Sequence, residues 1–234
     1  MLPWVHLASA VVPDDGGVLR LMQRGQEFSI MAGSTELMNS RLSGSEEALA
    51  TLAWTAIGGD SISDGARVLI GGMGMGFTLR AQLAVSDART RIIVAELVPE
   101  VLDWARGPMA GLHGASLVDP RVSFHLGDIG PLIRSEAAAP GPRGGWDAIL
   151  LDVDNGPEGL TRKENDRIYS AAGLAAARQA LRPGGVLAVW SSAPHAVFSR
   201  RLAQAGLVVE ERTVRARAGR SGAKHVIWLA RRSA

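Results

Sequence analysis

The feature that most constrains this chain is an apolar run that leads directly into closely spaced glycines. Residues 67–77 read RVLIGGMGMGF. The apolar run predicts a strand buried on both faces, as in a parallel sheet. Gly72, Gly74 and Gly76 permit a tight turn with positive φ and a close approach of the backbone to a ligand. We expect a helix to begin near Phe77, with its N-terminal end facing that ligand.

Two interpretations of this glycine turn stay open: a plain tight turn, or a nucleoside-binding motif. The dinucleotide pattern needs G-x-G-x-x-G followed by an acidic residue. Here the glycines are spaced G-x-G-x-G, and the next predicted strand, residues 91–95, is followed by Glu96. A carboxylate in that place can accept hydrogen bonds from both hydroxyls of a ribose. The shorter spacing favours a nucleoside without a pyrophosphate, such as S-adenosylmethionine, over NAD.

Acidic residues recur at the ends of successive predicted strands. From residue 67 onward strands and helices alternate, which predicts a doubly wound parallel sheet. Glu96, Asp128 and Asp152 each follow a predicted strand. Ligands of such sheets bind outside the carboxyl ends of the strands, so these residues and the glycine turn predict one site. Trp190 and Tyr169 are candidates for its acceptor side, with a packing role as the alternative for Tyr169.

The remaining segments predict the domain organisation. Residues 1–42 form a small β appendage with strands over 18–24, 27–32 and 36–39, and residues 43–234 form the main domain. Ser43 and Glu46 fit a capping box that opens a helix running to Ile57. An antiparallel pair over 207–214 and 224–230 closes the sheet. The expected fold is a Rossmann-like α/β domain whose seven-stranded sheet is parallel except for its antiparallel last strand.

Composition excludes several classes of protein. The chain has no cysteine, which rules out disulfides and thiolate chemistry and fits a cytoplasmic location. No window reaches 18 apolar residues and no signal peptide is recognisable, so we expect no membrane association. The five histidines lack metal-ligand spacing, so we expect no metal. An arginine-rich C-terminal hairpin is either a solvated loop or a nucleic-acid footprint, and the absence of an RNA-binding module argues against the latter.

Several longer motifs resemble those of the spermidine synthase family, within the class I S-adenosylmethionine-dependent methyltransferase fold. The resemblance covers residues 25–230. It rests on VLIGGMGMGFTLR (68–80), AEL (95–97), DPRVSFHLGD (119–128), WDAILLDVDNGP (146–157) and LRPGGVLA (181–188).

The resemblance implies a role for each motif. The turn, with Gly72, Gly74, Met75 and Gly76, would line the methionine-like tail of the cofactor. Glu96, with Leu97 beside it, would hold the ribose. Asp128 and Ile129 would hold the adenine. The segment from Asn155 to Ile168 would be the gatekeeping loop over an amine site, which makes Asn155 a substrate-binding candidate, and the family implies a homodimer.

The chain departs from the family at the amine site. Aminopropyltransferases carry an acidic residue inside the glycine turn, and here that position is Met75. Asn155 stands where the family has the aspartate that deprotonates the amine, and Asp154 is displaced from it by one residue. The His-Glu pair expected near Glu46 and Glu47 is missing.

These departures lead us to expect methyl transfer from S-adenosylmethionine to a small-molecule acceptor, possibly an amine. Asp152 and Asp154 are the candidates to orient or deprotonate the acceptor. The alternative for Asp152 is that it only caps the following loop. Three other functions stay open: aminopropyl transfer from decarboxylated S-adenosylmethionine, RNA methylation, and non-catalytic cofactor binding.

Overall fold

The computed structural model describes residues 2–13, 17–138, 144–153, 156–157, 165–217 and 222–233. It contains two sheets. The strands are β1 (Val5–Val11), β2 (Val18–Arg24), β3 (Glu27–Ala32), β4 (Thr35–Asn39), β5 (Arg67–Gly71), β6 (Arg91–Glu96), β7 (Val122–Leu126), β8 (Trp146–Leu151), β9 (Leu181–Ser191), β10 (Leu207–Arg215) and β11 (Lys224–Arg232). The helices are α1 (Gly44–Ile57), α2 (Phe77–Val85), α3 (Pro99–Arg106), α4 (Ala110–His113), α5 (Ile129–Ala138), α6 (Asn165–Tyr169), α7 (Ala171–Ala180) and α8 (Ala196–Gln204).

The larger sheet is the predicted Rossmann-like, doubly wound sheet. Its seven strands run in the order β10-β11-β9-β8-β5-β6-β7. β5 pairs in parallel with β6 and β8. β11 pairs antiparallel with β9, and β10 pairs antiparallel with β11 at the edge of the sheet. Val68, Leu69 and Ile70 are completely buried at the centre, as expected for a strand covered on both faces. The order of β5 and β6 relative to β8 creates a crossover point at the carboxyl ends of these strands, where such folds bind ligands.

The core has one apolar layer on each face of this sheet. Val68 and Ile70 face α1, α2 and α3, whereas Leu69 faces α5, α7 and α8. The alternation follows from the period of two along a strand. All six residues of β8 are buried, because that strand lies between β5 and β9 and is covered by both layers.

The smaller sheet is antiparallel, with its four strands in sequence order. Three of its strands were predicted, but β1 was missed. Val5, Leu7 and Val11 of β1 are exposed, so the large apolar side chains of this edge strand do not mark a buried face. Leu21 and Ile30 of β2 and β3 are buried and join the core of the main domain.

The start of α1 differs from the prediction. Ser43 is the N-cap residue, but its side chain makes no capping hydrogen bond, so the predicted capping box is wrong. The carboxylate of Glu46 accepts a hydrogen bond from Ser45 Oγ instead, at 2.6 Å. The end of the helix is as predicted, because Gly58 adopts the left-handed conformation with φ 63°.

Two further segments differ from what their composition suggests. Residues 182–185 contain a proline and two glycines, which are typical of a turn, but they belong to the long strand β9. The segment 136–145 has the alanine, proline and glycine content of a surface loop, but it begins inside α5, where Glu136 forms an ion pair with Arg67 at 2.9 Å. Residues 139–143 lie outside the described residues.

Two of the C-terminal arginines that the structure describes connect the last strand to neighbouring helices by hydrogen bonds. Arg231 donates a hydrogen bond to the carbonyl of Ala56 on α1, and Arg232 donates to carbonyls at the end of α7. Arg212 forms an ion pair with Glu210. Across the described part of the chain, no helix is long and apolar enough to cross a membrane. The same residues contain no cluster of three or more histidine or acidic side chains suited to a metal ion.

Candidate active site

A cavity opens at the carboxyl ends of β5, β6, β7 and β8. Together with its open mouth it encloses about 920 Å³ of empty space. Its floor includes Gly72 and Gly74 of the glycine turn. Its acidic lining residues are Glu96, Asp128 and Asp152, the three that the sequence analysis placed at strand ends. The structure therefore brings the predicted strand-end residues together.

The glycine turn is shaped by two close approaches. Gly72 has φ 90°, and a Cβ built on it would lie 2.3 Å from the carbonyl oxygen of Asp152. A side chain at this position would therefore push the ends of β5 and β8 apart. Gly74 has φ 47°, and its Cβ would lie 2.9 Å from the sulfur of Met38, which packs over the turn from β4. Both positions require the left-handed backbone that glycine adopts without strain.

Glu96 connects the glycine turn to the end of β6. Its Oε2 accepts a hydrogen bond from the backbone N–H of Met73 at 2.8 Å, and its Oε1 accepts one from Val98 at 2.9 Å. Burial raises the pKa of this carboxyl, and the backbone hydrogen bonds oppose that rise. Glu96 also lines the cavity, so the carboxylate that holds the turn borders the ligand space.

Asp128 lies at the start of α5. Its Oδ1 accepts a hydrogen bond from the backbone N–H of Gly130 at 2.5 Å, the geometry of a helix cap. Asp128 lines the cavity together with Leu97 and Ile129. An apolar slot with a carboxylate at its edge suits a flat heterocycle that bears an exocyclic amine.

Asp152 follows β8 and is half-buried at the cavity. Its Oδ2 accepts a hydrogen bond from Thr78 Oγ1, which lies in the first turn of α2, at 2.6 Å. Burial, followed by the nearby charge of Glu46, raises the pKa of Asp152 to about 7, and the Thr78 hydrogen bond opposes the rise. The structure thus gives a carboxyl group that exchanges a proton near neutral pH.

Sequence reasoning missed Thr78 and Glu46. Thr78 lies two residues after the turn, and its position at the helix start was the one available signal. Glu46 was assigned to a helix cap. Its carboxyl pKa is raised by burial, against the hydrogen bond from Ser45.

Four predicted site residues do not line the cavity. Met75 is 2 % exposed and packs in the core, so its side chain is turned away from the ligand side of the turn. Gly76 begins α2 and packs on His113. Tyr169 packs edge-to-face on Phe198 in the layer under α7 and α8, and Trp190 packs edge-to-face on His225, with ring centroids 4.9 Å apart. Asp154 and Asn155 lie outside the described residues.

The smaller sheet supplies an apolar wall that the sequence analysis did not anticipate. The wall side chains come from the N-terminal residues Val12, Leu19, Ile30, Leu37 and Met38. They face Leu97, Val98 and Val101 across the cavity. The β appendage is therefore part of the site.

Comparison with known sequences yields polyamine aminopropyltransferases, whereas no family model matches the chain. The enzyme of Mycobacterium tuberculosis strain H37Rv is 32 % identical over 136 residues, which are 58 % of this chain and 24 % of that protein. The enzyme of Nitrosomonas europaea is 33 % identical over 104 residues, or 44 % of this chain and 29 % of that protein. The matched region thus spans a quarter to under a third of the length of these relatives.

Comparison with solved structures covers nearly the whole chain. A spermidine synthase in complex with the transition-state analogue AdoDATO matches with a TM-score of 0.75 and 17 % identity, over 97 % of this chain and 74 % of that one. The chain thus has the fold of this spermidine synthase. The spermidine synthase of Thermotoga maritima matches with a TM-score of 0.70 and 15 % identity, over 97 % and 72 % of the two chains.

A third solved structure with a similar fold is that of a methyltransferase-like protein. Human methyltransferase-like protein 13 in complex with SAH matches with a TM-score of 0.55 and 18 % identity, over 79 % of this chain and 78 % of that one. The chain therefore shares its fold with this methyltransferase as well, and the two spermidine synthases match more of the chain than the methyltransferase does.

Proposed function

We propose that the chain is a transferase that moves an aminopropyl group from decarboxylated S-adenosylmethionine to an amine. The observation that carries this proposal is the charge of the cavity. Its described lining contains three carboxylates, Glu96, Asp128 and Asp152, and no basic side chain. Such a cavity favours cationic ligands, and both the sulfonium nucleoside and a protonated amine are cations.

Different cavity residues would contact the adenine, the ribose and the tail of a bound nucleoside. Asp128, with Leu97 and Ile129, would hold the adenine, and Glu96 would accept hydrogen bonds from the ribose hydroxyls. The glycine turn would lie along the tail, because Gly72 and Gly74 leave no side chain between the backbone and the ligand. When bound, the nucleoside supplies a carbon activated by the adjacent sulfonium.

Asp152 supplies the proton chemistry. A protonated amine has no lone pair with which to attack, so a base has to remove one proton first. Asp152 can accept that proton near neutral pH, and the hydroxyl of Thr78 keeps its carboxylate oriented. Alignment of the amine with the reacting carbon provides the remainder of the catalysis.

Methyl transfer from S-adenosylmethionine is the second candidate. Position 75, where aminopropyltransferases have an acidic residue, carries a methionine that is buried in the core. The first turn of α2, which follows the glycine turn, could instead receive the carboxylate of the intact cofactor. The names of the relatives and the lack of a basic lining residue favour aminopropyl transfer over this alternative.

Calorimetry with S-adenosylmethionine, its decarboxylated form and methylthioadenosine tests the proposal. We expect the decarboxylated form to bind tighter than the intact one by at least about 1 kcal/mol, because the intact carboxylate would enter an acidic cavity. Incubation with a diamine should then release methylthioadenosine, and Asp152→Asn should slow that release. Tighter binding of S-adenosylmethionine, with S-adenosylhomocysteine as product, would establish methyl transfer instead. Failure of all three nucleosides to bind would refute a nucleoside site.

A further inference from the structure

Two successive residues of β4, Leu37 and Met38, both line the cavity. In a regular strand, successive side chains point to opposite faces of the sheet, so only one of two neighbours can face a site on one side. The small sheet therefore departs from regular strand geometry where it meets the cavity.

A β-bulge in the pairing of β3 with β4 explains this departure. Ile30 pairs with Met38 and Met31 pairs with Glu36, so Leu37 is an extra residue without a partner in β3. Bulges change the direction of a side chain and are over-represented next to active sites. Here the bulge leaves Met38 on the cavity side of the sheet, together with Ile30, and adds Leu37 to that side.

The bulge also decides which kind of side chain faces the ligand space. In a regular strand Glu36 would share a face with Met38, two positions away, and would bring its carboxylate to the cavity. Instead Glu36 is exposed, and its carboxylate forms an ion pair with Arg41 at 3.1 Å. β4 thus presents two apolar side chains to the cavity and turns its one carboxylate away.

Met38 reaches the glycine turn. Its sulfur would lie 2.9 Å, and its terminal methyl carbon 3.0 Å, from a Cβ built on Gly74. Apart from the neighbours of Gly74 in the chain, no other atom of the described residues comes within 4 Å of that point. The side chain of Met38 therefore lies directly against Gly74, in the part of the turn along which the tail of a nucleoside is proposed to lie.

We infer that Met38 is a specificity-determining residue, whose apolar side chain covers the tail of the nucleoside and disfavours a carboxylate there. This inference rests on the proposed function, because it needs a nucleoside tail along the glycine turn. Methionine has no hydrogen-bond donor, and its thioether is a weak acceptor. Its side chain can pack against the methylene groups of an aminopropyl chain, but it offers the carboxylate of intact S-adenosylmethionine no partner. Met38 thus adds a local contact to the selection that the acidic cavity exerts by charge.

Calorimetry on Met38→Gln with S-adenosylmethionine, its decarboxylated form and methylthioadenosine tests the inference. Glutamine is similar in size to methionine and offers an amide N–H to a carboxylate. We expect the affinity for S-adenosylmethionine, relative to that for the decarboxylated form, to rise by at least about fivefold. Methylthioadenosine carries only a methyl group on its sulfur, so its affinity should stay within about twofold of the wild-type value.

Two control variants separate the polarity of the side chain from a general loosening of the wall. Met38→Leu keeps an apolar cover of similar size and should preserve the wild-type ratio of the two affinities within about twofold. Leu37→Ala, in the same bulge, should weaken binding of all three nucleosides alike and leave the ratio unchanged. If either control shifted the ratio as much as Met38→Gln does, the effect would be one of packing, and the inference would be overturned.

The two readouts keep this inference apart from the proposed function. A ratio that Met38→Gln leaves unchanged would overturn the inference, while aminopropyl transfer could still be observed as release of methylthioadenosine. Methyl transfer by the wild type would refute the proposed reaction, whereas a ratio that still rises in Met38→Gln would keep Met38 as the residue that contacts the tail. Failure of methylthioadenosine to bind the wild type would refute the nucleoside site and the inference with it.

Discussion

Glu96 illustrates how much a single residue does in this site. Its two carboxylate oxygens accept the N–H groups of Met73 and Val98, so it fixes the glycine turn before any ligand arrives. It also lines the cavity at the place proposed for the ribose. Its position at a strand end made Glu96 recognisable as a site residue from the sequence. Its hydrogen bonds with backbone N–H groups could not be predicted, because they depend on the three-dimensional course of the glycine turn.

Glu96→Gln should weaken binding of methylthioadenosine by about 1–3 kcal/mol. The amide has only one accepting oxygen, so one of the two backbone N–H groups loses its acceptor and faces an NH₂ group instead. Calorimetry measures the affinity, with Asp103→Asn on the exposed side of α3 as the control. An affinity equal to that of the wild type would remove Glu96 from the nucleoside site.

The raised pKa of Asp152 predicts that the stability of the folded protein falls as the pH rises from about 4 to 7. Its pKa rises from the ordinary 3.8 to about 7 on folding, so between these values the folded protein binds more protons than the unfolded chain. The contribution of Asp152 to stability is thus complete below about pH 4 and is lost as the pH rises to 7. The melting temperature of Asp152→Asn relative to wild type should therefore increase across that window and level off above it. A constant difference between Asp152→Asn and wild type from pH 4 to pH 8 would contradict the raised pKa.

At the scale of elements, the glycine turn was the best predicted part of the chain. The strand before it, the helix from Phe77 and the need for glycine all follow from local sequence, and all are confirmed. Two other elements were missed for physical reasons. β1 has an apolar exposed face, and α5 follows Asp128 at once with Gly130 and the next residue, a proline, in its first turn, which argue against a helix.

Gly72→Ala should lower the melting temperature far more than Gly58→Ala. Both glycines have positive φ, so each substitution strains the backbone by about 1 kcal/mol. Only at Gly72 would the new Cβ also lie 2.3 Å from a carbonyl oxygen, that of Asp152, while nothing lies within 4 Å at Gly58. Thermal denaturation measures the difference. Similar melting temperatures for the two variants would show that β5 and β8 do not need this close approach.

At the scale of the molecule, the two sheets share one cavity. The sequence predicted a small β appendage but gave it no function, because the wall side chains reach the site only through the packing of one sheet on another. Leu37 is half-buried in that wall, whereas Leu7 of the same sheet is 38 % exposed and lies outside the cavity.

Leu37→Ala should weaken nucleoside binding by about 1 kcal/mol, because part of the apolar contact area is lost. Leu7→Ala is the control and should leave the affinity unchanged. Titration of both variants with methylthioadenosine measures the effect. If Leu37→Ala bound as well as Leu7→Ala, the β appendage would have no part in nucleoside recognition.

The contact between Ser45 and His225 joins residues that are 180 positions apart. During synthesis, the ribosome releases α1 long before β11, so Glu46 waits for its hydrogen-bond network until nearly all of these residues have emerged. Thr78 and Asp152 are only 74 positions apart, so their hydrogen bond can form much earlier. A nascent chain can therefore complete the contact between α2 and the end of β8 early, but Ser45 meets His225 only when the last strand of the sheet is in place.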